Sequence, residues 1–321
     1  MFRFRPLGST LRRRHLRACL ASTRPLSAAP AATDGDAAFA LGVQYLQRSA
    51  KRQNDSASAV QTAVLHWTTA AEMGHVRAQG ALGTLYRTGY ATVPRNLSLA
   101  VQFLQQAADA GHEKSCYEVG TLFLPGSSVN NDDEDDDDNE VVARDVDRTL
   151  HYWTTAAEKG HAAANLALGQ LYAEGQHVAQ DNEKAVHFYR RAAEHELPEA
   201  QWALGTAYLL GRGVEHSARH AAMSFRRAAE AGHARAQFDL GACYMLGRGV
   251  EADHAQAAHY FFLAAESGVV EAQLCLAQLF ETGRGVPVNR DKAVEYYRSA
   301  ANGGLKEATQ ALDRLGVPRE P

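Results

Sequence analysis

Small apolar residues recur along the chain at a fixed spacing. A pair of alanines returns every 36 residues, beginning at Ala156, Ala192, Ala228, Ala264 and Ala300. A constant period of this length predicts an array of similar structural units rather than one conventional globular domain.

The first half of each repeat is predicted to form a helix, called helix A, that carries a small residue followed three positions later by an aromatic one. The small residue lets a neighbouring helix approach closely, and the aromatic side chain fills the space beyond it. The small residues are Gly42, Gly83, Gly120, Gly169, Gly205, Gly241 and Ala277, and the aromatic ones are Tyr45, Tyr86, Phe123, Tyr172, Tyr208, Tyr244 and Phe280. Helix A is predicted to end at glycines such as Gly247 and Gly249, which permit a left-handed backbone.

The second half of each repeat predicts a helix B that begins at a short polar residue. The aligned positions are Asn96, Asp145, Asp181, Ser217, Asp253 and Asn289. Each is a good N-cap, because its side-chain oxygen can accept a free amide of the first helical turn. A large residue follows eight positions later, as Phe261 does after Asp253, and is predicted to fill the core.

The combined pattern resembles that of Sel-1-like repeat (SLR) proteins, which are relatives of tetratricopeptide repeat proteins. The segment L-G-x-x-Y-x-x-G-x-G-V at residues 240–250 carries the resemblance, which extends over residues 37–308, although Val269 replaces the expected histidine. The resemblance implies an all-α fold, a right-handed α-solenoid of about seven helix-pair repeats. It also implies that helix A lines a concave groove in which partner proteins are held.

The predicted solenoid covers residues 34–321 and departs from the period in two places. Residues 126–144 form a loop insertion that contains an acidic run, and residues 308–321 are interpreted as a capping helix and tail. The acidic run consists of Asp132, Asp133, Glu134, Asp135, Asp136, Asp137 and Asp138. Two interpretations are favoured for it, a solvated disordered loop and a docking strip for a basic partner. A cation site is the third, and the run has neither the spacing by turns nor the glycine that a calcium site needs.

Residues 1–33 have the composition of a mitochondrial transit peptide. They contain seven arginines and no acidic residue, and Arg17 and Arg24 interrupt any apolar core that a secretory signal would need. Cleavage is predicted after Leu26. On a helix, Arg14 would lie on the same side as Leu7 and Leu11 and would interrupt the apolar face of a transit peptide. The alternative is therefore a disordered basic leader on a cytoplasmic protein.

Composition argues against several classes of function. Without the leader and the acidic run the chain is close to neutral, which argues against nucleic acid as a partner. No apolar stretch approaches the ~18 residues of a membrane span. The four cysteines lack the spacing of a zinc site or a redox pair, so free thiols are expected.

No catalytic motif is present. Phosphate-binding, metalloprotease, nucleophile-elbow and dinucleotide signatures are all missing, so no enzyme activity, cofactor or small-molecule substrate is expected. Histidines recur at equivalent positions of successive repeats, which should lie about 10 Å apart. Since metal ligands lie about 2 Å from the ion, one ion cannot join such a row and no metal site is expected.

The predicted partner-binding surface is the groove side of helix A. Its candidate residues are Tyr117, Leu166, Trp202, Leu209, Phe238 and Met245. An exposed row of large apolar groups would bind protein, with Trp202 and Phe238 as anchors. The alternative is that some of these side chains pack between neighbouring repeats.

Three functional hypotheses follow from these predictions. The favoured one is a non-catalytic mitochondrial adaptor, an assembly or chaperone-like factor that holds other proteins. The second is a scaffold subunit of a ubiquitin-ligase complex in endoplasmic reticulum quality control. The third is an enzyme or enzyme regulator of bacterial style.

Overall fold

The computed structural model describes residues 34–51, 56–90, 92–125 and 144–317. The predicted leader, the acidic run and residues 318–321 lie outside these ranges. The chain divides into two compact units, the first ending at Phe103 and the second beginning at Leu104.

The described residues form fifteen α-helices and no named strand. They are α1 Gly35–Lys51, α2 Ser56–Glu72, α3 Val76–Thr88, α4 Leu97–Asp109, α5 Glu113–Phe123, α6 Val146–Glu158, α7 Ala162–Glu174, α8 Asn182–Ala193, α9 Pro198–Leu210, α10 Ala218–Glu230, α11 Ala234–Leu246, α12 His254–Glu266, α13 Val270–Thr282, α14 Arg290–Asn302 and α15 Lys306–Arg314. Odd-numbered helices up to α13 are A helices and even-numbered helices are B helices. The all-α prediction is confirmed.

The large core residue of helix B packs against the small residue of helix A. A Cβ atom built on Gly205 would lie 2.5 Å from Cε1 of Phe225, and one on Gly241 would lie 2.8 Å from Cδ1 of Phe261. Both rings are buried. The predicted close approach of a neighbouring helix is confirmed, and the group that lies against the glycine is the aromatic ring of helix B.

The predicted N-caps of helix B are confirmed. The Asp253 carboxylate accepts hydrogen bonds from the amides of Ala255 and Gln256, at 2.8 and 3.0 Å. In addition, the amide of Asp253 donates to the carbonyl oxygen of Tyr244 at 3.0 Å. The same bond from cap to aromatic residue recurs for Asn96, Asp145, Asp181, Ser217 and Asn289. One residue thus begins helix B and ties it to the end of helix A.

The two glycines of each Gly-Arg-Gly turn have different roles. Gly247 is the left-handed C-cap of α11, with φ of 65°. Gly249 also has positive φ, at 73°, and in addition a Cβ there would overlap the carbonyl group of Ala218 in the preceding helix B. The second glycine therefore lets the turn of one repeat touch the backbone of the repeat before it.

The aromatic residue of helix A stacks on helix B. Tyr244 lies parallel to Tyr260 with ring centroids 5.8 Å apart, and Phe280 lies parallel to Tyr296 at 6.0 Å. The partner ring is the residue directly before the core aromatic of helix B, so helix B presents two adjacent large residues to helix A. Only the second of these two residues was predicted from the sequence.

The chain beyond the seventh pair forms one short helix, α15, from Lys306 to Arg314. It begins two residues before the predicted start at 308, because Leu305 has the extended backbone of an N-cap residue and Ala308 is already a buried position of the helix. Ala308 and Leu312 pack against a cluster that contains Tyr297 of α14. The helix covers the apolar flank of the last pair.

Candidate partner-binding cleft

Histidines at the start of the A helices act as N-caps. The Nδ1 atoms of His75, His161 and His233 accept hydrogen bonds from the backbone amides three residues later, at 3.0 to 3.2 Å. An imidazole that accepts through Nδ1 is neutral and carries its proton on Nε2. These recurring histidines therefore hold helix ends.

The predicted anchor Trp202 packs on the next repeat. Its ring stacks on His233, with centroids 5.5 Å apart, and its Nε1 donates to Oδ2 of Asp239 at 2.7 Å. Tyr117 occupies the equivalent position and stacks on His161 at 4.9 Å. These two side chains join neighbouring repeats, which is the alternative interpretation left open above.

The other predicted groove residues are also half-buried. Leu166 packs against the core cluster of α8 and α9, and Leu209 packs against that of α10 and α11. Phe238 and Met245 pack against the cluster of α12 and α13. Apart from Tyr117, each of the six residues thus packs against the core that helix B of its own repeat forms with helix A of the next repeat.

Phe238 and Met245 also line a cleft of about 750 Å³ between α11, α13 and α15. The wall from α11 contains these two residues, Ala242 and Leu246, and the rings of Phe261 and Tyr297 contribute from the B helices. The cleft is further lined by Cys275, Gln278, Leu279, Glu281, Thr282 and Arg284, and by Glu307, Gln310, Ala311 and Arg314 of α15. Tyr117, Leu166, Trp202 and Leu209 are not among its lining residues.

Leu246 is the most exposed large apolar group of this cleft. Its side chain is 59% exposed, whereas Met245 beside it is half-buried. Leu246 is not among the residues predicted from the sequence. The signal that marks it is its position directly before a C-cap glycine, which it shares with the 52%-exposed Leu210. The contribution of α15 to the cleft was also missed.

Three polar side chains of the cleft form one hydrogen-bonded cluster. Nη2 of Arg314 donates to both carboxylate oxygens of Glu281, at 2.7 Å each, and the Tyr297 hydroxyl donates to Oε2 at 2.6 Å. Burial and this hydrogen bond raise the pKa of Tyr297. These hydrogen bonds link α15 to α13 and satisfy both carboxylate oxygens of Glu281.

The thiol of Cys275 lines the cleft. Burial raises the pKa of Cys275 to about 11, so its thiol stays protonated and weakly nucleophilic at neutral pH. Within the described ranges, no group of three or more His, Cys, Asp or Glu side chains is placed to hold a metal ion. The acidic residues Asp132–Asp138 lie outside those ranges.

None of the helices in the described part of the chain is both long enough and apolar enough to cross a membrane.

Comparison with protein-family models gives matches across most of the chain. The Sel1 repeat model matches residues 35–75, 76–112, 139–161, 162–196, 198–233, 234–269 and 270–305. This chain belongs to the Sel1 repeat family. Proteins of the Sel1 repeat family are typically scaffolds for protein interaction and not catalysts. The family predicted from the repeat pattern is therefore confirmed.

Solved structures of Sel1 repeat proteins are similar to this chain. A protective antigen of uropathogenic Escherichia coli that displays an SLR fold is 28% identical, with a TM-score of 0.78 over 88% of this chain. The matched part is 56% of the E. coli protein. A Sel1 repeat protein from Oxalobacter formigenes is 25% identical, with a TM-score of 0.64 over 82% of this chain and 96% of its own. A search of curated proteins gave no significant match.

Proposed function

We propose that this Sel1 repeat protein is a non-catalytic adaptor that holds a segment of a partner protein in the cleft between α11, α13 and α15. The observation that carries the proposal is the exposed, apolar α11 wall at Leu246, beside half-buried Met245 and Phe238. Apolar patches that stay exposed, especially where polar residues rim them, mark protein-binding surfaces.

The proposed cellular role is that of an assembly or chaperone-like factor in mitochondria. The support is the leader, residues 1–33, which is rich in arginine and free of acidic residues. A scaffold that binds segments of partners and carries out no reaction suits the assembly of protein complexes.

Location is tested by fractionating cells that express the full-length chain with a C-terminal tag. We expect a protease-protected mitochondrial form, shortened to the size that cleavage after Leu26 predicts. A chain that lacks residues 1–33 should remain in the cytosol. Recovery of the full-length protein in the cytosol would remove the mitochondrial part of the proposal.

Partner binding is tested by affinity purification of the tagged protein and of a Leu246→Asp variant. Because Leu246 is exposed, the substitution places a charge on the cleft without emptying the core. Met223→Asp is the matched control, since Met223 is 45% exposed on the B helix α10. We expect a reproducible partner to be lost from the Leu246 variant alone. Equal recovery with all three proteins would contradict the proposal.

A further inference from the structure

The charged side chains that line the cleft between α11, α13 and α15 balance one another. In the part of the chain that the structure describes they are two acids, Glu281 and Glu307, and two bases, Arg284 and Arg314. The net charge of the lining is therefore zero. Long-range attraction consequently selects neither an acidic nor a basic partner for this cleft.

The same residues offer little to a charged partner at close range. Glu281 is already bound, because its carboxylate accepts hydrogen bonds from the Tyr297 hydroxyl and from Arg314. Arg284 and Glu307 are both exposed to water. Ion pairs with exposed charges contribute little free energy, so neither residue repays the desolvation of a charged group that enters the cleft.

Apolar side chains of the cleft are accessible to a partner. Leu246 of α11 is 59% exposed, and Phe238, Ala242 and Met245 of the same helix are half-buried. Ala311 of α15 is half-buried as well. Covering this surface removes apolar area from water, which is favourable without any charged contact. The accessible part of the lining therefore matches an apolar group.

Two glutamines of the lining have unused side-chain amides. Gln278 of α13 and Gln310 of α15 are exposed, and neither side chain forms a hydrogen bond to a residue that the structure describes. Gln237 differs, because its amide donates to the carbonyl of Ala229 at the end of the preceding helix B. A glutamine side chain presents both donors and an acceptor, which is the complement of a peptide group.

Unused amides favour an extended partner over a helical one. The peptide groups within a helix already bond one another along the helix. The peptide groups of an extended segment outside a sheet still need partners. Side-chain amides at Gln278 and Gln310 supply a donor and an acceptor for such groups.

We propose that the partner segment is extended and presents uncharged, apolar side chains to the cleft. These side chains contact Phe238, Met245 and Leu246, and the peptide groups of the segment hydrogen-bond with Gln278 and Gln310. The inference rests on the proposed function and names the chemistry of its partner. Because alternate side chains of an extended segment point to the same side, every second residue of the partner faces the cleft.

The first test selects random twelve-residue peptides displayed on phage, with the full chain as bait and its Leu246→Asp variant for counter-selection. We expect the recovered peptides to carry apolar residues at alternate positions, with the same mean net charge as the unselected library. Acidic or basic residues enriched at shared positions would overturn the proposal. An apolar spacing of three and four residues, which marks a helix, would also overturn it.

The second test measures the recovered peptides by fluorescence anisotropy. We expect their affinity to change less than twofold between about 50 and about 500 mM salt, because no charge pairing is involved. Gln278→Leu/Gln310→Leu should weaken binding tenfold or more. The matched control is Gln176→Leu/Gln256→Leu, since these two glutamines are exposed and do not line the cleft. Equal effects of the two double variants would contradict the hydrogen bonds to the peptide.

Backbone methylation gives an independent readout of the same hydrogen bonds. A recovered peptide that is N-methylated at alternate residues loses amide donors. We expect it to bind the wild-type chain more weakly than the unmethylated peptide, and to bind Gln278→Leu/Gln310→Leu no more weakly than the unmethylated peptide does. An equal further loss in the variant would show that the glutamines do not pair with the peptide backbone.

The remaining outcomes separate this inference from the proposed function. If the recovered peptides are charged and Leu246→Asp abolishes their binding, the uncharged partner is wrong while the cleft still holds a segment. If no peptide is enriched, the inference is also wrong, and partner recovery with the Leu246 variant decides the proposed function independently. A dimer of the chain in light scattering that Leu246→Asp disrupts would overturn the inference and assign the cleft to a second copy.

Discussion

The histidines that begin the A helices show how one residue can serve two contacts. The His233 imidazole caps α11 through Nδ1 and offers its face to the Trp202 ring of the preceding repeat. Burial lowers the pKa of His233 below its ordinary value of 6.5, and the nearby Glu199 and Asp239 oppose this effect. Burial likewise lowers the pKa of His161. Both contacts use the neutral ring.

A pH dependence of stability follows from these two histidines. Because the folded chain binds their protons less readily than the unfolded chain, their contribution is complete above pH 6.5 and is progressively lost below it. His161→Asn/His233→Asn keeps a cap acceptor that does not titrate. Urea unfolding from pH 7.5 to 5.5 should therefore give a smaller loss of unfolding free energy in the variant. An equal loss would show that the histidines do not carry this dependence.

At the scale of the element, the Gly-Arg-Gly turn joins three pieces of chain. Gly247 ends α11, Asp253 begins α12, and Gly249 between them touches the backbone of α10. The turn is thus a contact between repeats as well as a connection within one.

Replacing each glycine of this turn by alanine distinguishes the role of Gly247 as a helix C-cap from the role of Gly249 in the contact with α10. Gly247→Ala strains a left-handed residue, with only an ordinary contact to Ala252, and should cost about 1–2 kcal/mol. Gly249→Ala adds an overlap with the Ala218 carbonyl group and should cost a further ~1–3 kcal/mol. Denaturant unfolding of the two variants checks the difference. Equal losses would contradict the close approach at Gly249.

Local elements could be predicted because their causes lie within a few residues of sequence. Asp253 caps the helix that immediately follows it, and Gly241 faces a ring within the same repeat. The position of Trp202 could not be predicted in the same way. Its place on helix A borders both the groove and the next repeat, and only the packed structure shows the stacking on His233.

At the scale of the whole molecule, the cleft depends on packing between three repeats. Its α15 wall contributes Gln310 and Arg314, whose positions follow from how α15 docks on α14. No pattern within a repeat encodes that docking, because α15 lies beyond the last period. The family was therefore predictable from the repeat. Of the cleft, Phe238 and Met245 were predicted, whereas Leu246 and the α15 wall were not.

The repeat architecture predicts that destabilisation stays local. Leu312 is buried where α15 covers the last pair, and Leu312→Ala should cost about 2–5 kcal/mol in that region. Each repeat in such an array contacts mainly its neighbours. Hydrogen exchange should therefore accelerate in α14 and α15 and remain unchanged in α9 and α10. A uniform acceleration would indicate that the second unit unfolds as one body.

The proposed function requires the cleft beside Leu246 to hold a partner segment. Its most direct test is photo-crosslinking in cells, with a benzophenone side chain placed at position 246 or, as control, at position 223 on α10. We expect a discrete adduct with one partner from position 246 and none from position 223. If position 246 gave no adduct, or if both positions gave the same adducts, the proposed function would be wrong.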